Sequence, residues 1–303
     1  MVMKNIKIFI SFFVFAFIGA CGEEPGFDTA QAYDENEYNI SRNEDEISVS
    51  KIMDLDEKFD NNYQQSLAVY GNQAFAFSTK GACRVINLAT HEIVAETRLA
   101  SYASNNHANS AEFSNIFLDH NDYPLLYVTP LYNLKCHVEN YDATNNKFSL
   151  VQTIAVSTTI FNDNKTLQFS LDKDKSLLYA ISFSSDHTKC YLRWFRIPSI
   201  DKKSVVLTDD DLLGAKEFQL LNANYGQASY IINNKLYLMF GTNKTQHEIY
   251  VVDLDTFQYK YFNFTFQLGA EPEGLAPYQG YLIVNTNFPG GIYRLMKLQK
   301  QNI

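Results

Sequence analysis

The sequence predicts an all-β fold, a five-bladed β-propeller whose last blade is closed by a strand from near the N-terminus, and three observations lead there. The 303 residues hold 20 Tyr and 23 Phe against 13 Gly and 7 Pro, a balance that suits half-buried pleated strands. Short runs of β-branched and aromatic residues recur between clusters of Asn, Asp, Gly and Lys, with a side-chain period of two. The runs repeat at a spacing near 50 residues, as in a propeller with four strands per blade.

Taken in order, the runs fall at 66–70, 74–78, 83–88, 93–99, 125–129, 148–155, 177–183, 190–197, 236–240, 249–254, 259–264, 281–285 and 292–298. The second strand of each unit carries the repeat: Asn72-Gln73-Ala74-Phe75, Pro124-Leu125-Leu126-Tyr127, Ser176-Leu177-Leu178-Tyr179, Asn234-Lys235-Leu236-Tyr237 and Gln279-Gly280-Tyr281-Leu282 line up. The third strand often closes on a polar turn, as in Val251-Val252-Asp253-Leu254-Asp255-Thr256, which suits a hairpin. Residues 209–217 are the one stretch with a helical look. The last unit is a strand short, and 47–55 is an unassigned strand upstream of the first unit. It is expected to complete blade five and so to remove an exposed edge. A six-bladed ring is the competing architecture, because the long stretch 183–226 has room for another short blade.

The first 20 residues are expected to be a signal peptide. Lys4 and Lys7 precede an apolar run at residues 8–18, which is too short to cross a bilayer that requires roughly 20 residues of helix. Ile18-Gly19-Ala20-Cys21 resembles the lipobox of bacterial lipoproteins, and that resemblance implies cleavage before Cys21 and acylation of its thiol and amino group. Several acyl chains hold a membrane far more firmly than one, at about 0.8 kcal/mol per buried methylene. The competing reading is an ordinary secretory signal in which Cys21 is incidental.

Charge separates the mature chain into two parts. The whole chain carries 25 Lys and Arg against 34 Asp and Glu, so no general positive field draws a phosphate backbone, and nucleic acid is not an expected partner. Residues 22–47 hold nine acids against Arg42 alone. Such an acidic stretch, poor in Leu and Val, cannot bury enough apolar surface to order itself. Residues 21–47 are therefore expected to be a solvated tether and 48–303 the propeller. Glu23 and Glu24 after the cysteine resemble the surface-export signal of some Gram-negative lipoproteins, while a plain spacer facing the periplasm is the alternative. The expected location is the outer membrane, facing periplasm or cell surface.

Function is sought where the inner strands begin, because equivalent positions in a ring of blades converge on the axis. Those starts are polar, and Gln65, His107, Asn109, Glu112, Gln227 and Glu273 are the candidate ligand-binding residues. Amides with carboxyls suit a hydrogen-bonding pocket; a water-filled channel whose polar groups satisfy one another is the plainer alternative. His107 with Glu112 and Glu273 is the best acid–base constellation, since two carboxyls across a channel are the equipment of glycoside hydrolysis. The sequence has no Gly-x-Ser-x-Gly elbow, no His-Glu-x-x-His, no Cys-x-x-Cys and no phosphate-binding glycine loop. No cofactor and no metal is implied. Cys83, Cys136 and Cys190 fall at similar places in successive units, too far apart for disulfides, and are expected to be buried thiols.

The stretch His107-Ala108-Asn109-Ser110-Ala111-Glu112-Phe113, followed by Asp122-Tyr123-Pro124-Leu125-Leu126-Tyr127-Val128, resembles bacterial and phage propeller proteins of the helveticin-J type. The resemblance extends loosely to Gln65 and Glu273-Gly274 and implies a propeller of unsettled biochemical role. Glu271-Pro272-Glu273-Gly274-Leu275 is similar to a stretch of propeller glutaminyl cyclotransferases and is too short to carry an activity across. The sequence thus leads to a lipid-anchored envelope protein that recognises a glycan, peptide or protein partner at the central face of the propeller. The alternative is a propeller hydrolase or transferase, glycosidase-like or glutaminyl-cyclotransferase-like, that uses channel carboxylates.

Overall fold

A computed structural model describes residues 47–298 except 57, 105, 132–133, 158–166, 222–224 and 243–244. The expected signal peptide, Cys21 and nearly all of the expected tether lie outside the described residues.

The chain opens with β1 (Ile47–Asp54). Blade 1 follows with β2 (Lys58–Phe59), β3 (Asn62–Tyr70), β4 (Gln73–Ser78), β5 (Ala82–Asn87) and β6 (Glu92–Arg98). Blade 2 holds β7 (Ala108–Phe113), β8 (Leu126–Pro130), β9 (Lys135–Asp142) and β10 (Lys147–Val156). Blade 3 has β11 (Leu167–Asp172), β12 (Leu177–Phe183) and β13 (Lys189–Arg196), after which the chain leaves to form β14 (Ser204–Leu207) and returns as β15 (Leu212–Gln219). Blade 4 is β16 (Gly226–Ile232), β17 (Lys235–Thr242), β18 (Thr245–Asp253) and β19 (Tyr259–Asn263). Blade 5 has β20 (Pro272–Tyr278), β21 (Tyr281–Asn287) and β22 (Gly290–Lys297).

These strands form five sheets, so the ring has five blades and not six. The stretch that left room for a sixth blade is used otherwise: β14 crosses to the outside of blade 2 and pairs in parallel with β10, Thr153 opposite Ser204 through Val156 opposite Leu207. The helical look of 209–217 is corrected too. Only Asp209–Asp211 makes a 3-10 turn, in which the Asp211 carboxylate accepts from the Thr208 backbone N–H, and the chain runs on as β15 against β13. Pairing with a buried neighbour overrides local preference there.

Closure is as expected. β1 lies antiparallel to β22, with Ile47 opposite Met296 and Asp54 opposite Gly291. β1 thus covers the outer edge of the last blade, and the first and last strands of the described residues share one sheet.

The core is distributed between blades. Among the described residues five hydrophobic clusters occur, one at each seam: Phe75 and Phe148 between blades 1 and 2, Tyr127 and Phe169 between 2 and 3, Phe183 and Tyr250 between 3 and 4, Met239 and Leu275 between 4 and 5, Leu67 and Ile283 between 5 and 1. Each large side chain buried in this way contributes about 1.5–3 kcal/mol relative to exposure. Polar latches supplement them. The buried Glu139 on β9 accepts from the backbone N–H groups of Ala100 (2.7 Å) and Ser101 (2.9 Å), where the chain passes from blade 1 to blade 2. Cys83, Cys136 and Cys190 are buried free thiols, and burial pushes all three up from the ordinary thiol range.

Because β1 belongs to the core seam, removal of residues 22–45 is expected to leave the thermal midpoint unchanged, whereas removal of 22–56 lowers it by roughly 10 °C or more. Differential scanning calorimetry of the two truncated chains measures this, and equal midpoints would show that the ring closes without β1.

Candidate functional site

The five innermost strands, β3, β7, β11, β16 and β20, run the same way along the axis, so each has an entry end and a far end. At the entry end the ladders share an irregularity. The register slips between Gln64 and Leu67, Ala108 and Ser110, Gly226 and Ala228, and Pro272 and Gly274, while β11 pairs without a slip. A β-bulge places an extra residue and re-aims its side chain. The residues in the bulges are Gln65 with Ser66, Asn109, Gln227 and Glu273, so four of the expected site residues occupy equivalent positions in four blades. Tyr63, His107, Tyr225 and Glu271 each stand one residue before the first residue paired with the second strand of the blade, and they form a second, outer set.

Hydrogen bonds join these groups around the ring. Asn285 Nδ2 of blade 5 donates to Gln65 O of blade 1 at 2.9 Å. Gln227 Nε2 of blade 4 donates to Glu271 Oε1 at 3.2 Å, and Gln168 Nε2 of blade 3 to Gly226 O of blade 4 at 3.1 Å. The space on the axis is narrow, since β7 comes within 8 Å, Cα to Cα, of both β16 and β20 two blades away. Gly274 makes part of this closeness possible. A Cβ there would overlap the Asn285 side-chain oxygen and the Leu67 backbone nitrogen and come within 2.7 Å of the Ser66 carbonyl carbon.

Glu273 is the group whose chemistry the site alters most. It is 3% exposed, and burial followed by the neighbouring Glu271 holds its carboxyl well above the ordinary range, while the Asn287 amide that donates to it works the other way. No cation is paired with it among the described residues. His107 is half-buried with a positive φ of 45°, and burial lowers its pKa from the ordinary imidazole range. Asn285 and Asn287 were missed by the sequence reading, although the Asn285-Thr286-Asn287 triplet ending an apolar run was the available signal.

Glu112 does not join this set. By register it lies three residues beyond Asn109, roughly 10 Å along the strand at about 3.3 Å per residue, and its role is internal. Lys173 Nζ, from the turn after β11, sits 3.1 Å from Glu112 Oε1 and donates to the Tyr230 hydroxyl at 2.7 Å; the Leu171 N–H donates to Glu112 Oε2 at 3.1 Å. Burial works to discharge the Lys173 ammonium, but Glu112 and Tyr230 outweigh it and raise its pKa. Burial pushes the Tyr230 hydroxyl up to about 12. With the Ser170–Ser229 hydrogen bond at 2.7 Å, this cluster ties blades 2, 3 and 4 together below the entry ring. Among the described residues no group of three His, Cys, Asp or Glu is placed to hold a metal ion.

No family model matches the sequence, and no curated protein does. Solved structures do. The glutaminyl cyclase of Myxococcus xanthus aligns over 84% of this chain and 98% of its own, at 14% identity and a TM-score of 0.50. The β-propeller domain of Cps50 (Swd1) from Myceliophteria thermophila aligns over 78% of this chain and 83% of its own, at 12% identity and a TM-score of 0.43. BamB from Moraxella catarrhalis aligns over 78% of this chain and 59% of its own, at 11% identity and a TM-score of 0.33. At this identity the first likeness concerns the fold alone.

Burial raises the carboxyls of both Glu273 and Glu112, and the two differ in that Glu112 has the Lys173 ammonium beside it. A carboxyl whose folded pKa is raised loses stability as pH rises from its unfolded value, 4.5, toward the folded one, because the unfolded state releases its proton first. Glu273→Gln is therefore expected to raise the thermal midpoint at pH 7 and to leave it nearly unchanged at pH 4. Lys173→Met strands the Glu112 carboxylate and is expected to cost about 3–5 kcal/mol. Thermal melts of both variants at the two pH values check this, and a lowered midpoint for Glu273→Gln at pH 7 would contradict it.

Proposed function

We propose that the chain is a lipid-anchored protein of the outer membrane, facing the periplasm or the cell surface, that binds a polar ligand at the entry end of its propeller. A glycan, a peptide or a protein segment is the class of partner. One observation carries the binding reading: the bulge residues Gln65, Asn109, Gln227 and Glu273 sit at equivalent positions around the axis, beside buried polar atoms that the protein itself leaves without partners. Such atoms cost about 1–3 kcal/mol each when nothing pairs them, and costly groups gathered in one place suit a site better than a core. The anchor rests on the basic start, the apolar run and the Ile18-Gly19-Ala20-Cys21 segment. The acidic tether supports a propeller held at a distance from the bilayer.

The second reading, a hydrolase or transferase, draws on the Glu273 carboxyl, which burial raises above its ordinary range in the direction that suits a general acid. Its expected partner Glu112 is engaged by Lys173 and lies three residues further along, and the neighbouring Glu271 already accepts from Gln227. Binding is therefore favoured over catalysis.

Fatty-acid labelling of the wild type and of Cys21→Ser tests the anchor; label on the wild type alone is expected, and label on both overturns it. A glycan and peptide array probed with the full chain in detergent tests the site. A hit is expected to be weakened by Glu273→Gln, each lost hydrogen bond costing about 0.5–1.5 kcal/mol, and to be unaffected by Phe117→Ser, an exposed position beyond the far end of β7. A hit that responds to Phe117 and ignores Glu273 would move the site to the other face.

A further inference from the structure

The amides at the entry end have already used their donor halves. Gln65 Nε2 donates to Gln64 O at 3.1 Å, Gln168 Nε2 to Gly226 O at 3.1 Å, Asn285 Nδ2 to Gln65 O at 2.9 Å, and Asn287 Nδ2 to Glu273 Oε1. The backbone carbonyls among these acceptors cannot donate, so the amides cannot turn over without setting oxygen against oxygen. What remains are Gln65 Oε1, Gln168 Oε1, Asn285 Oδ1 and Asn287 Oδ1, all buried and without a protein partner. Glu271 and Glu273 add two carboxyls. The nine bulge and outer positions in blades 1, 2, 4 and 5 contain no Lys or Arg.

An end of the channel lined by lone pairs and carboxyls calls for a ligand that is rich in donors and positively charged. Its width calls for a compact one, since strands two blades apart approach within 8 Å. The aromatic groups above agree. Tyr63 is 42% and Tyr225 59% exposed, and the chain's own Lys58 ammonium lies 4.6 Å from the Tyr63 ring centre, the contact by which an aromatic face attracts a cation. One buried donor departs from the pattern. Asn109 Nδ2 has no protein partner and would take an oxygen carried next to the charged group.

We propose that the entry end of the propeller is a receptor for a primary ammonium group flanked by a carbonyl or hydroxyl oxygen, with Gln65, Asn287 and Glu273 as acceptors and Asn109 as donor to the flanking oxygen. The inference rests on the binding reading above and narrows it to one chemistry. A peptide amino terminus and an amino sugar both supply that chemistry.

Isothermal titration of the full chain in detergent at pH 7 tests it with two matched pairs: glycylglycinamide against its N-acetyl form, and glucosamine against N-acetylglucosamine. The free amine of at least one pair is expected to bind ten-fold or more tightly than its acetylated partner, and the pair that responds identifies the source. Glu273→Gln is expected to weaken that amine five-fold or more while the thermal midpoint does not fall. Glu273→Asp keeps the carboxyl at the bulge and is expected to bind the amine more tightly than Glu273→Gln does, which separates loss of the site from loss of the fold. Acetylated probes that bind as well as the amines and still respond to Glu273→Gln would overturn the ammonium assignment and leave the polar-ligand site standing. No binding by any of the four probes overturns the assignment, and the array experiment then decides the broader reading on its own.

Discussion

The seam between blades 5 and 1 is the constraint on which the rest of the molecule depends. Here the first and last strands of the domain pair through β1 and β22, and the inner strand β20 packs against β3 closely enough that position 274 has no room for a side chain. The Asn285 amide fills the available gap and donates across the seam to Gln65 O. Were the seam open, β22 would be an exposed edge, and the apolar cluster around Leu67 and Ile283 would face water.

Closing a ring of only five blades brings the inner strands close to one another, and their polar groups must then be paired across blades or left costly. The two halves of the channel resolve this differently. Toward the far end, Glu112, Lys173 and Tyr230 form a charged cluster in which every partner comes from a different blade. At the entry end Gln65, Gln168 and Asn285 spend their donors on backbone carbonyls and Asn287 on Glu273, leaving their oxygens unpaired, while Glu273 is buried beside Glu271 with no cation among the described residues. The first arrangement stabilises the ring, and the second stores unpaired groups at its mouth. That contrast, within strands of one repeat, is the physical basis for placing a site at the entry end.

Much of this could be read in the sequence because a propeller blade is a local object. Period-two alternation marked the strands, the repeat of the second strand gave the five blades, and a missing outer strand required β1. The polar starts were visible because bulge residues interrupt an apolar pattern, and the register places Gln65, Asn109, Gln227 and Glu273 together. What escaped depends on partners distant in the chain. Glu112 looked like part of the starts because nothing near it in sequence reveals Lys173 across the next seam. The strand β9 hid behind Glu139, whose buried carboxylate is matched to backbone amides from another blade. The strand β14 is recognisable only once β10 offers it an edge in parallel.

The account turns on a buried carboxyl kept at the entry end beside another carboxyl and with no cation among the described residues, and the most direct measurement is the titration of Glu273 itself. Carbon-13 NMR of the labelled glutamate carboxyl, assigned by its absence in Glu273→Gln, follows that group alone through a pH series. The account predicts a midpoint well above the ordinary value of 4.5 in the free protein, moving downward when a cationic ligand is added. A midpoint at or below 4.5 would mean that the carboxylate is already compensated, and the entry end would then be a satisfied structural network.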